Sequence, residues 1–344
     1  MKTEYNKQLG NSMKKAVLST LISFILLTAL YYIILQHDLA DDKERYGYIA
    51  RNQAEHIVTT IDCVMSRTNT LKTLIKENNG DTTWFNNVAK DIYISIQDET
   101  GVSPRNFAIA PGGVVSDVYP LDGNEELIGF NFMDTSREGN LEAKEAYENG
   151  KTIITNPFEL IQGGIGMGGR APVVLQNDDN TSLWGLVTIT IDFDNLIKVL
   201  GLDNLQGMGV DYSLSYIDPD GRAQFMYGDR NLGNNTVKTQ FSVRNLTWEI
   251  DVKPSKGWVS VWDIVFSMCI ILIISCFAGI LENVNSIVDG WKGHIVDKMS
   301  ISIGHASHRE FPDMTIEELG KTADKKMYEA KKEYYQKHDR RRRI

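Results

Sequence analysis

Two stretches of the chain show no alternation of apolar and polar positions at all. Ala16–Leu35 (AVLSTLISFILLTALYYIIL) runs for 20 residues without a charge, and as a helix it rises about 30 Å, the thickness of a bilayer's hydrocarbon core. Trp262–Leu281 (WDIVFSMCIILIISCFAGIL) is the second, and its only charge, Asp263, lies at one end, where it reaches the interface. Both predict transmembrane helices. Between them, from Asp38 to about Asn78, the pattern turns helical. Ile57, Ile61, Val64, Leu71 and Ile75 recur at steps of three or four residues or their sum, which makes one apolar stripe. Residues 36–90 therefore read as a stalk helix. It packs on its own domain over part of its length, and over another part it pairs with a second copy, as a homodimer requires.

Further along, the period shortens. Asp91–Gln97 (DIYISIQ) alternates like a strand, and Ala110-Pro111-Gly112-Gly113 is a turn leading into Val114–Tyr119. Then come a helix carrying Ala143, Ala146 and Tyr147, a strand-like run Thr152–Thr155, a Gly-rich turn, an apolar run broken by Pro172, and the cleaner alternation of Val187–Ile191. Strands with one buried face alternating with helix predict a mixed α+β domain over residues 91–200. Residues 201–260 add further strands, with Asp220-Gly221 as a hairpin turn, and read as a second, membrane-proximal unit.

Charge sets the orientation. Lys14 and Lys15 precede the first apolar segment and acids follow it, so the N-terminus (residues 1–15) is assigned to the cytoplasm. The tail 282–344, with Lys292, Lys298 and Arg340–Arg343, is assigned there too. The apolar core of the first segment exceeds that of a signal peptide, and no small-x-small cleavage site follows, so it is read as a retained anchor. The loop between the spans then lies outside a plasma membrane that the chain crosses twice. Residues 36–260 hold 32 acids against 19 basic residues, a balance that excludes nucleic acid as a partner there. Cys269 and Cys276 fall within the second span, so Cys63 has no intrachain partner outside. It is either a small packed residue or a link between two copies.

Gly164–Gly169 satisfies G-x-G-x-x-G by letter, but Arg170-Ala171-Pro172 follows where a dinucleotide site needs a helix N-terminus. The segment reads as a turn that could flap over a pocket, and no cofactor is expected. Arg170 stands alone in an apolar run. Such a guanidinium either grips an acidic ligand or pairs internally with a carboxylate. His305, His308 and Asp313 lack the compactness of a metal site.

The order GK-x-x-x-T-x-PFEL after an acidic helix, with R-x-PVV following, resembles the CHASE sensory domain, an extracytoplasmic receptor module. The resemblance extends from about Phe107 to Phe193, through APGGVVSDVYPLDGNEELIGFNFM and WGLVTITIDF. It implies a PAS-like fold and a small-molecule ligand. It also implies that Asn131 stands where plant CHASE receptors place a ligand-anchoring aspartate, that Thr155 lines the pocket wall, and that Phe158 supplies apolar wall. The loss of charge at Asn131 leaves ligand identity open. A turn or cap role for Asn131, and core packing for Phe158, are the competing readings.

Residues 299–338 resemble the C-terminal end of a GGDEF diguanylate cyclase domain. Ile301 and Ile303 alternate with Ser300 and Ser302 as a strand does, a capping box stands at Thr315 and Glu318, and the following helix has an apolar stripe through Ile316, Leu319, Ala323, Met327, Ala330 and Tyr334. The points of likeness are the S-I-G of Ser302–Gly304 and the A-D-x-x-M-Y-x-A-K run of Ala323–Lys331. GG-[DE]-EF is absent, and with it the carboxylates that would hold Mg²⁺ for phosphoryl transfer. The tail therefore reads as a short α/β remnant without enzymatic activity. Three functions follow: a sensor with degenerate output, a diguanylate cyclase whose core is lost from this chain, or a decoy that pairs with an intact cyclase.

Overall fold

The computed structural model describes residues 2–137, 139–177, 180–289 and 302–337. The chain divides into two units, one formed by His37–Ser260 and the other by Met1–Gln36 together with the chain from Val261.

Helix α1 (Lys2–Glu77) carries the first apolar segment, and α6 (Val261–Asp289) carries the second. Both are long and apolar enough to cross a membrane. Their apolar side chains point outward, with Ile25 63% and Phe266 68% exposed, the reverse of what water tolerates in a contiguous patch. The two helices meet through small residues. Ser12 Oγ donates to Asn283 Oδ1 at 2.7 Å, and a Cβ placed on Gly279 would overlap Thr20 Oγ1, the close approach that small residues permit between membrane helices. In the tail, α7 (Ile316–Lys337) begins at the expected capping box, where Thr315 N donates to Glu318 Oε2 at 2.8 Å. Its apolar stripe is half open: Ile316 is 90% exposed, whereas Leu319, Ala323 and Tyr334 are half-buried. The strand predicted around Ile301 lies outside the described residues as far as Ile301; Ser302–Ser307 is neither helix nor strand. Arg340–Arg343 also lies outside them.

In the larger unit Ile57, Ile61, Val64, Leu71 and Ile75 are fully buried, so the stripe on α1 packs against its own domain. The helix expected to continue to residue 90 ends at Glu77. A second helix, α2 (Phe85–Thr100), takes up the chain and replaces the strand expected at Asp91–Gln97. The local alternation misled because a longer period governs the segment. Phe85, Ala89 and Ile96 are buried while Ile94 is 45% exposed, which is helical spacing. Gly101 then closes the helix in the left-handed region at φ 76°.

The first sheet contains β1 (Pro104–Pro111), β2 (Asp117–Tyr119), β3 (Ile153–Ile154), β4 (Phe158–Glu159), β5 (Ile165–Asn177) and β6 (Asn180–Asp192), in the order β2-β1-β6-β5-β3 with β4 also on β5. Between β2 and β3 stands α3 (Asn140–Asn149), and after β6 come α4 (Phe193–Leu200) and α5 (Asp203–Gly207). Pro172 does not break β5. It pairs with Leu186 on β6, and its nitrogen points to the other side, where β3 ends opposite Arg170, so no ladder bond is lost.

The second sheet joins β7 (Val210–Ile217), β8 (Ala223–Gly228), β9 (Val237–Val243) and β10 (Leu246–Pro254) in the order β8-β7-β10-β9, with the expected hairpin around Asp220-Gly221. One apolar core runs through α1, α2 and strands of both sheets, from Ile61 and Phe107 to Tyr212 and Trp248. The sheets are also clasped. Asn245, at the β9–β10 turn, accepts from Ile154 N at 2.8 Å and donates to Ile154 O at 2.9 Å, so one side-chain amide pairs with the edge strand β3 as a neighbouring strand would. Asn245→Ala leaves both backbone groups of the buried Ile154 unpaired and is expected to cost about 1–3 kcal/mol, read as a lowered melting temperature of the full chain in detergent. An unchanged value would show that the clasp contributes nothing to stability.

Candidate ligand-binding site

The two faces of the first sheet differ in chemistry because side chains alternate along a strand. Toward α1 and α2 stand Phe107, Ile109, Met167, Val173, Val187, Ile189 and Ile191, all buried and apolar. The opposite face carries Asn106, Ala108 and Ala110 from β1, Leu186, Thr188 and Thr190 from β6, and Gly168 and Arg170 from β5. Ala108, Ala110 and Leu186 pack beneath a second apolar cluster with Val115, Leu127 and Phe132, whereas the small or polar Asn106, Gly168, Thr190 and Arg170 do not fill the space above them. The chain segments over that face leave a cavity of about 260 Å³.

Its floor is Asn106, Thr190 and Arg170, its roof includes Phe130 and Phe132, and the β4–β5 hairpin contributes Phe158 and Gln162. Arg137 and Asn140 complete the wall on the roof side. The Phe130 and Phe132 rings meet edge to face, with centroids 5.2 Å apart. Each lies under a guanidinium: Arg137 sits 5.4 Å from the Phe130 centroid and Arg170 4.7 Å from that of Phe132.

Arg170 is the chemical centre. It is 3% exposed, and its Nε and Nη1 are buried with no hydrogen-bond partner among the described residues. No described carboxylate pairs with it. Burial pushes its pKa down to about 10, opposed by the charge of Glu142. It remains protonated at neutral pH, so the site holds a desolvated cation with donors to spare.

The cavity brings together two of the four residues singled out in the sequence, Arg170 and Phe158. Asn131 and Thr155 do not line it. Asn131 is an exposed turn residue whose Oδ1 accepts from Met133 N at 2.9 Å. Thr155 is buried beside the site, where its Oγ1 accepts from Gly168 N at 2.8 Å while its own N donates to Gly168 O at 2.9 Å. It thereby fixes Gly168, two residues from Arg170 on the same face, where a Cβ would lie 2.6 Å from the guanidinium carbon. Thr155→Val should leave the Gly168 N–H without an acceptor and cost about 1–3 kcal/mol of stability, checked by thermal unfolding; a loss below about 0.5 kcal/mol would remove Thr155 from this role. The Gly-rich run is part turn and part strand. Leu160 to Gly164 forms the hairpin tip, and Ile165 onward is β5. Residues not singled out beforehand include Phe130, Phe132, Arg137, Asn106 and Gln162. The signal available was Phe-Asn-Phe at Phe130–Phe132, two large aromatic rings in an otherwise Gly- and Asp-rich loop.

None of the curated proteins matches the chain. Among solved structures, an extracellular ligand binding receptor from Desulfohalobium retbaense is similar at 11% identity and TM-score 0.46, covering 60% of this chain and 40% of its own length. The ligand binding domain of Mlp24 with asparagine is similar at 13% identity and TM-score 0.38, covering 69% and 98%. The sensory domain of the Campylobacter jejuni chemoreceptor Tlp3 is similar at 11% identity and TM-score 0.33, covering 63% and 98%. The CHASE domain model matches residues 89–227. That span includes the whole cavity, and the chain thus carries a CHASE domain at residues 89–227.

Proposed function

We propose that the chain is a membrane-anchored sensor whose extracytoplasmic unit binds a small molecule through an acidic group held by Arg170. The observation that carries this reading is a buried guanidinium in a cavity, with two nitrogens unpaired among the described residues. An isolated buried charge is costly, and an incoming anion offsets that cost. The two apolar helices anchor the sensor as a multi-pass plasma-membrane protein, with both termini cytoplasmic, from the charge flanks of the spans. A second copy pairs with it along the stalk. The test is a thermal-shift screen of the full chain in detergent micelles against organic acids, amino acids and purines. Stabilisation by acids that disappears in Arg170→Met is expected; purines alone stabilising the chain would refute the anionic reading. Reporter fusions at each end test the orientation, and extracellular activity at either end would overturn it.

The tail supports a reading of degenerate output. The capped helix α7 is similar to the end of a cyclase domain, and no GG-[DE]-EF occurs in the sequence. The pure protein is expected to make no cyclic di-GMP from GTP and Mg²⁺; product formed without a co-purifying cyclase would contradict this. Signalling then passes to a partner, for which an intact cyclase is the proposed candidate.

A further inference from the structure

We infer that the Arg170 cavity takes a small hydroxylated carboxylate, which presents its acid group to Arg170 and its hydroxyls to amide oxygens of the wall. The inference rests on the anionic reading above and narrows it. The amides are oriented from outside the cavity. Asn124 Nδ2 donates to the carbonyls of Arg105 (3.2 Å) and Pro120 (3.0 Å), which can only accept, so Asn124 Oδ1 must face the other way. That oxygen accepts from Asn106 Nδ2 and from Gln162 Nε2, each at 3.1 Å. Each side chain thereby spends one N–H on Asn124, pointing its NH₂ at that oxygen and turning its own carbonyl oxygen away from it. Asn140 behaves alike, its Nδ2 donating to Asn131 O at 3.2 Å and Asp134 O at 2.8 Å.

Asn106, Gln162 and Asn140 all line the cavity, and among the described residues no donor reaches their side-chain carbonyl oxygens. The site thus offers cationic donors at one place and neutral acceptors at three others. Its ligand must supply the reverse, an anionic acceptor together with O–H or N–H donors. Charge decides which donors. Arg137 and Arg170 both line the cavity, whereas Glu159, the one carboxylate among the described lining residues, is exposed. An ammonium would be desolvated beside two guanidinium groups with no buried counter-ion among the described residues; a hydroxyl satisfies an amide oxygen with no charge to bury. A volume of about 260 Å³ lies below the usual range for drug-sized ligands and selects a small molecule.

The experiment measures Kd for the full chain in detergent micelles against matched acids: succinate, malate and aspartate; propionate, lactate and alanine; and gluconate. At least one hydroxylated acid is expected to bind about tenfold or more tighter than its plain counterpart, since a site built to bond a hydroxyl rejects the analogue lacking it. The amino acids should bind no better than the plain acids. Gln162→Leu should reduce the hydroxyl preference, read as the ratio of plain-acid to hydroxy-acid Kd, and Arg170→Met should abolish binding of both kinds of acid. Plain acids binding as tightly as hydroxy acids, or amino acids binding best, would overturn the hydroxyl assignment and leave the anionic reading standing. Absence of binding by every acid in the set would overturn both.

Discussion

Arg170→Met is expected to weaken binding of an acidic ligand by about 2–5 kcal/mol, and at the same time to raise the melting temperature of the unliganded protein. The opposite signs have one origin. In the free site the guanidinium is 3% exposed, with Nε and Nη1 unpaired among the described residues and only the Phe132 ring beneath it. A buried cation without a counter-ion opposes folding, and an apolar side chain of similar length removes that opposition. Once the anion is bound, the same cation is the main source of affinity. A binding assay combined with a melting curve decides the matter. Lower affinity with lower unliganded stability would mean that Arg170 is a structural residue with a partner of its own. Binding should also stay flat from about pH 6 to about pH 9, because burial lowers the guanidinium only to about 10. The sign follows from a folded-state pKa depressed below the ordinary arginine value. Only as pH rises through about 10 does the folded site lose its proton while the unfolded chain keeps it, so unliganded stability should rise there. A midpoint near pH 6.5 in the binding profile would instead assign the contact to a histidine.

Trp248→Ala is expected to destabilise the sensor unit by about 3–5 kcal/mol, the range for removing a buried large aromatic side chain. Trp248 is fully buried on β10, stacks edge-on against Phe241 at 6.3 Å, and donates from Nε1 to Asn156 Oδ1 at 3.3 Å. It therefore joins the second sheet to the segment between β3 and β4 of the first, within a core that both sheets share. The measurement is the melting temperature of the full chain, with Trp248→Phe as a control that keeps most of the apolar area. A change below about 1 kcal/mol in the alanine variant would mean that the two sheets are stable independently of each other.

The sequence displayed its helices and its charge more openly than its cavity. The α1 stripe from Ile57 to Ile75 was legible because a repeated period over several turns outweighs local noise. Asp91–Gln97 was misread because seven residues cannot distinguish alternation from part of a helical repeat; the deciding positions, Phe85 and Ala89, lie outside that window. Arg170 stood out as a charge in an apolar run. Phe130, Phe132 and Asn106 did not, since nothing local says that a loop folds back over a sheet face of alanines, glycines and threonines. Asn131 and Thr155 came from correspondence of position with a family pattern, and the fold gives both to backbone bonding: a turn in one case, the Gly168 amide in the other.

The Asn245 clasp has a mechanical consequence. β3 pairs with Arg170 through Ile153 and with Asn245 through Ile154, so two adjacent residues tie the cavity floor to the head of β10. The other end of β10 is Pro254, from which the chain passes into α6 at Val261. An extended strand is stiff along its length, so a pull on Arg170 would be carried along β10 toward Pro254, as along a cord, and not absorbed at Ile154. Asn245→Ala cuts that cord without changing any residue that lines the cavity.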